Sequence, residues 1–184
     1  MDLLLILVTL GTQDKSFKRL LDAIQNEIDN GNIKDRVVVQ KGYTNFASDN
    51  MELFDLIPME KFDELIDSCD ILITHGGVGS IITGLKHNKK VIAAARLAKY
   101  GEHTNDHQLQ IIDNFSKEGY ILALDDFSKL GELLEKCKTF QPKEYNSNTS
   151  KMIKIVSKYI DKTEYKFNYK ALFILIALLI LIIL

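Results

Sequence analysis

The chain has 184 residues, 46% of them hydrophobic and 26% charged, a globular composition that excludes a disordered or collagen-like polymer and fits one domain with an appendage. Its net charge of −2 hides an asymmetry: residues 143–184 hold a surplus of +4, leaving −6 on residues 1–142 and excluding a nucleic-acid groove there. Two cysteines, Cys69 and Cys137, are too few for a disulfide framework and read as reduced cytosolic thiols.

Leu3–Leu10 is apolar throughout and lacks a basic leader, so it reads as a buried strand rather than a signal peptide. Phe17, Leu20, Leu21, Ile24 and Ile28 recur at helical spacing up to Gly31. Val37–Gln40 is a short strand, followed by a polar loop over Gly42–Asn50 and a second strand, Leu53–Ile57, stopped by Pro58. Phe62, Leu65 and Ile66 mark the next helix, and Ile71–Thr74 the strand after it. Ile81, Ile82 and Leu85 begin a helix, Val91–Ala95 is a strand, and a long loop from Arg96 to Asn105 leads into a helix through Leu109, Ile112 and Phe115. Tyr120–Leu124 and Ser128–Lys138 complete the alternation. Strands this apolar are covered on both faces, which predicts an α/β, Rossmann-like doubly wound parallel sheet over residues 1–140.

Residues 141–166 form a basic linker and an amphipathic helix, with lysines at 151, 154, 158, 162 and 166 on one side and Met152, Val156, Tyr159 and Ile160 in the less polar arc. That pattern suits an anionic membrane surface. Ala171–Leu184 is apolar without a break; extended back to Phe167, a helix at about 1.5 Å per residue approaches the ~30 Å hydrocarbon core if Lys170 snorkels. Residues 167–184 therefore read as a transmembrane or membrane-embedded helix, with the lysines holding the body on the cytoplasmic side.

Three polar clusters sit at strand ends, where doubly wound folds bind ligands. The first is Gly11-Thr12-Gln13 and the second His75-Gly76-Gly77-Val78-Gly79-Ser80. Each is expected at a helix start, where free backbone N–H groups suit a diphosphate; a tight structural turn needs glycine equally. Neither matches a dinucleotide or Walker spacing. The third, Glu102-His103-Thr104-Asn105-Asp106-His107-Gln108, offers donors and acceptors for sugar hydroxyls. His103 and His107 would alternatively ligate zinc with Glu102 or Asp106, and Asn105 or Asp106 would cap a helix. No Asp-x-Asp pair occurs, so no motif for a metal bridging a diphosphate is present and no metal or other cofactor is expected.

Together, Val8-Thr-Leu-Gly-Thr-Gln13, Asp70-Ile-Leu-Ile-Thr-His-Gly-Gly-Val-Gly-Ser80 and Gly101-Glu-His-Thr-Asn-Asp-His-Gln108 resemble the C-terminal, donor-binding half of GT-B glycosyltransferases of family 28. The resemblance is greatest to small catalytic subunits of split enzymes, of the dolichol-linked GlcNAc transferase and bacterial capsule galactosyltransferase types. It implies an inverting, metal-independent hexosyltransferase moving GlcNAc or galactose from a UDP-sugar to a polyprenyl- or dolichyl-diphosphate-linked acceptor. It also implies a membrane-anchored partner subunit that binds the acceptor and carries the general base. By that likeness Gly11, Thr12, Gly77, Gly79 and Ser80 meet the diphosphate side of the donor, and Asp106, His107 and Gln108 face the sugar and distal phosphate. Gln13, Gly76, Glu102 and His103 belong to the same donor site, His75 either joins it or only shapes the turn, and Arg96 is a candidate for neutralising the diphosphate. Thr83 stands where such proteins often carry a carboxylate for the ribose. That departure keeps a second reading open, a non-catalytic sugar-nucleotide-binding or scaffold subunit of a membrane glycan-assembly complex.

Overall fold

The computed structural model describes residues 4–162. Six parallel strands form one sheet in the order β3-β2-β1-β4-β5-β6. They are β1 (Leu5–Thr9), β2 (Arg36–Gln40), β3 (Glu52–Phe54), β4 (Ile71–His75), β5 (Lys90–Ala94) and β6 (Leu122–Ala123). The helices are α1 (Lys18–Asp29), α2 (Met59–Ser68), α3 (Val78–Lys86), α4 (His107–Lys117), α5 (Leu130–Thr139) and α6 (Thr149–Lys162).

The alternation of side chains along each strand explains why the strands are apolar on both faces. Ile6 and Val8 of β1 join Leu20, Leu21 and Ile24 of α1 and Leu130 and Leu134 of α5 in one core layer. Leu7, between them, joins Ile66 of α2, Ile81 and Leu85 of α3 and Ile112 of α4 in the other. Helices thus cover both faces, as a parallel sheet requires. The edge strands are shorter than the sequence suggests. Pro58 precedes α2 in extended conformation and β3 ends at Phe54, while β6 keeps only Leu122 and Ala123.

The order places the topological switch between β1 and β4, which pair from Ile6↔Ile71 to Thr9↔Thr74. From β1 the chain turns to the face of α1, and from β4 to the face of α3. A crevice therefore opens beyond the carboxyl ends of these two strands. Thr74 ties them together there, its hydroxyl donating to the Thr9 carbonyl (3.3 Å).

The body extends to Tyr145, which packs edge to face on Tyr120 at 5.9 Å. Asn146 onward is a separate unit containing α6, along which Met152, Ile153, Ile155, Val156 and Ile160 are exposed. Among the described residues no helix is long and apolar enough to cross a membrane. The expected anchor, residues 167–184, lies outside the described residues.

Candidate functional site

A cavity of about 520 Å³ occupies the crevice at the β1–β4 switch. Of the residues expected at a donor site, Gly11, Thr12, His75, Gly77, Gly79, Ser80 and Thr83 line it. A larger hollow of about 860 Å³ lies at the opposite, amino ends of the strands. Its carboxylates Asp35 and Asp70 accept from the Leu4 and Leu5 N–H groups at the start of β1, a structural role.

The two glycine turns differ. The β4 turn runs directly into α3, with Gly77 as its N-cap residue and no side chain closing the helix end. The first-turn amides of α3, at Val78, Gly79 and Ser80, are those a helix leaves without intrahelical acceptors. The β1 turn does not lead directly into a helix. Helix α1 begins only at Lys18, and the Phe17 N–H before it donates to Thr44 Oγ1 (3.0 Å) from the loop after β2. Gly11, at φ +75°, bends the chain away from β1, so the Gly11–Gln13 turn offers no helix N-terminus. Thr12 still reaches the cavity, whereas Gln13 does not line it.

Most of these glycines make room for protein rather than for ligand. A Cβ on Gly11 would lie 2.6 Å from His75 Cε1, and one on Gly77 would lie 2.3 Å from His75 Nε2. The imidazole is wedged between the two turns. A Cβ on Gly76 would meet Gln108 Cβ at 2.7 Å. Only Gly79, among the three glycines of the β4 turn, faces open space. Burial first, and then the charge of Arg96, push the His75 imidazole down to about 4, so it is neutral at neutral pH.

The 102–108 cluster divides in the same way. Gln108 is buried, its Oε1 accepting from Gly76 N (3.2 Å) and Arg96 N (3.0 Å), so it joins the β4 turn to the end of β5. Glu102 is buried in a forked ion pair with Arg19 (3.0 and 2.8 Å) and accepts from Leu97 N (3.0 Å). Its carboxylate is taken up by these partners, and Glu102 does not line the cavity. Arg96 is 1% exposed and does not line the cavity. Asp106 accepts from Ala98 N (2.7 Å), and Asn105, not Asp106, closes the start of α4 by accepting from His107 N (3.2 Å). His103 and His107 pack edge to face at 4.8 Å outside the cavity lining, and among the described residues no three His, Cys, Asp or Glu side chains converge as a metal site.

Sequence reasoning missed the opposite wall. Gln40 at the end of β2 and Leu56, Ile57, Met59, Phe62 and Asp63 of the β3–α2 junction complete the lining. Leu56 and Met59 remain 49% and 71% exposed beside Pro58, and a bulky apolar pair flanking a strand-breaking proline was the available signal. Gln40 is buried, and its Oε1 has no hydrogen-bond partner among the described residues.

This arrangement brings an uncapped helix end, an apolar wall and a neutral imidazole to one cavity. Comparison with known proteins gives the same direction. UDP-N-acetylglucosamine transferase subunit ALG13 of Candida glabrata is 41% identical over 56 residues, a stretch making up 29% of this chain and 25% of that protein. The NMR solution structure of ALG13 superposes with a TM-score of 0.51 at 20% identity, covering 79% of this chain and 90% of that one. CalG4, the calicheamicin glycosyltransferase, superposes with a TM-score of 0.55 at 17% identity, covering 75% of this chain and 34% of its own. At those identities the two structures speak to the fold alone. The model of the glycosyltransferase family 28 C-terminal domain matches residues 5–163, so the chain belongs to that family.

Proposed function

We propose that the chain is the donor-binding, catalytic subunit of a two-component glycosyltransferase, transferring a hexose from a UDP-sugar to a polyprenyl- or dolichyl-diphosphate-linked acceptor. The observation that carries this reading is the α3 N-terminus, where an uncapped helix end and the open face of Gly79 border the cavity. Backbone amides and the helix dipole there favour a diphosphate. Leu56, Ile57, Met59 and Phe62 of the cavity lining suit the flat face of a base, and Thr83, one helical turn after Gly79 in the same lining, is available to the ribose. Neutral His75 can donate one hydrogen bond to the diphosphate without adding charge.

In the proposed step an acceptor hydroxyl attacks the anomeric carbon and the bond to the β-phosphate oxygen breaks. The diphosphate leaves with the electron pair, and the hydroxyl proton passes to a base on the acceptor-binding subunit. One displacement inverts the anomeric centre. Helix amides stabilise the charge developing on the leaving group, a role that fixed dipoles fill without a cation. The ALG13 relative is by name a subunit of a UDP-N-acetylglucosamine transferase, which favours GlcNAc over galactose and supports a partner polypeptide. Thr83 supports the second reading. Its hydroxyl donates to the Gly79 carbonyl (2.9 Å), and it lacks the charge to hold a ribose strongly.

Calorimetric titration of UDP, UDP-GlcNAc and UDP-galactose in EDTA tests the site, and sugar transfer with a partner co-purified from native membranes tests the reaction. We expect micromolar UDP binding without metal and transfer only with the partner. Binding without transfer in the reconstituted complex favours the scaffold, and absence of UDP binding removes both readings.

We further infer that the body is held at the cytoplasmic face of a membrane by residues 167–184, with α6 lying along the lipid surface. The exposed apolar residues of α6 and its flanking lysines support this. Deleting residues 167–184 is expected to move the protein into the soluble fraction on cell fractionation. Full retention on salt-washed membranes would count against the anchor.

A further inference from the structure

The Arg96 side chain crosses beneath the β1 turn. Nη2 donates to the Leu10 carbonyl (2.6 Å), and Nη1 donates to the carbonyls of Lys15 (2.6 Å) and Glu102 (3.3 Å). One guanidinium therefore holds both ends of the segment that carries Gly11 and Thr12 into the cavity. Phe17 packs against it, 5.1 Å from ring centroid to Cζ, and Nε has no partner among the described residues.

A buried cation ordinarily has an anionic partner, because transfer from water into the interior is costly for an unpaired charge. Arg96 forms no ion pair among the described residues. The nearby acid, Glu102, directs its carboxylate to Arg19 and the Leu97 N–H; Arg96 feels its charge at a distance and hydrogen-bonds only to its main-chain carbonyl. Arg19 in turn lies over Phe127 at 4.1 Å and Tyr100 at 4.6 Å, away from the cavity lining. The cluster of Arg19, Glu102 and Arg96 thus carries one positive charge in excess, next to a cavity that Gly11, Thr12 and His75 line.

Resting on the nucleotide-binding reading above, we propose that Arg96 is a positioning residue for the diphosphate, setting the β1 turn from beneath and supplying through it the buried positive charge that the bound anion balances. It acts without touching the ligand. Its charge already reaches the cavity, since it helps to hold the His75 imidazole low. Glu102, from the loop before α4, is the acid whose charge bears on Arg96, and that carboxylate is paired with Arg19.

The test compares uridine, UMP and UDP as ligands, so that charge dependence is read separately from the base contacts. In the full-length chain, Arg96→Gln is expected to weaken UDP at least tenfold and uridine less than threefold, with UMP between them. Arg96→Lys keeps the charge and loses the fork. It is expected to hold the UDP-to-uridine affinity ratio within threefold of the parent even if the thermal midpoint falls. The His75 ring, followed by NMR, should titrate at higher pH in Arg96→Gln.

Equal losses for uridine and UDP in Arg96→Gln, or an unchanged UDP affinity, overturn the proposal. If that variant does not fold, Arg96→Lys decides: a retained ratio supports the buried charge, and a ratio reduced tenfold overturns it. A parent chain that fails to bind UDP removes the nucleotide reading itself, which is a separate result.

Discussion

Gly79→Asp is expected to reduce UDP affinity at least a hundredfold while raising the thermal midpoint of the chain. Gly79 is the second residue of α3 and a Cβ there meets nothing within 4 Å, so an aspartate enters without steric cost. Replacing a helical glycine gains about 0.5–1 kcal/mol. A carboxylate in the first turn adds roughly 0.3–1 kcal/mol by opposing the helix dipole. The same carboxylate occupies the mouth of the anion site. Two like charges about 4 Å apart repel by roughly 4 kcal/mol at an effective dielectric constant of about 20, more than the ~2.7 kcal/mol that a hundredfold change requires. Gly79→Ala shares the helix gain and lacks the charge, so it should also melt higher yet keep UDP binding within about tenfold. Calorimetry and a thermal melt on the two variants separate these effects. A Gly79→Asp protein that binds UDP as the parent does would place the anion away from α3.

The same glycine shows what the sequence can and cannot disclose. The buried strands were legible because Leu3–Leu10 and Ile71–Thr74 are apolar at both alternating positions, which a sheet covered on both faces demands. The strand–helix alternation then leaves few topologies, and the switch between β1 and β4 follows from it. What each glycine accommodates was not legible. Gly76, Gly77 and Gly79 look alike in a string, yet they face Gln108, His75 and open space respectively. The partner of Gly76 is 32 residues away in sequence.

Polar residues conceal their partners for a related reason. Glu102 belongs to a cluster whose composition suits a sugar, but its carboxylate is paired with Arg19, 83 residues earlier. A local pattern carries no record of a pairing at that distance. The Gly11–Gln13 turn looks like a helix start in the sequence, but α1 begins only at Lys18, and the end of the loop before it depends on Thr44, a side chain from another element. The apolar wall at Leu56–Phe62 was hidden by its ordinariness. Leucine, isoleucine and phenylalanine near a strand end read as core until the fold leaves some of them uncovered.

Gly77→Ala is expected to destabilise the chain by about 2 kcal/mol, and His75→Ala in the same chain should remove nearly all of that cost. Gly77 has φ −78°, which any residue adopts, so its backbone gives no reason for glycine. The reason is steric: the added methyl would sit 2.3 Å from Nε2 of a ring whose other side is closed by Gly11. A flat ring held from both sides cannot step back, so the turn or the ring must leave its position. With His75 already alanine the obstacle is gone, and adding Gly77→Ala should change the urea midpoint little. Gly11 makes the contrast. It too would strike His75, but its φ of +75° adds a conformational cost of roughly 1–2 kcal/mol that removing the ring does not relieve. The double-mutant cycle should therefore show full rescue for Gly77→Ala and partial rescue for Gly11→Ala. Additive losses at Gly77 would mean that the imidazole is not what the glycine accommodates. The β4 turn would then have to be reconsidered as one shaped by the ligand throughout.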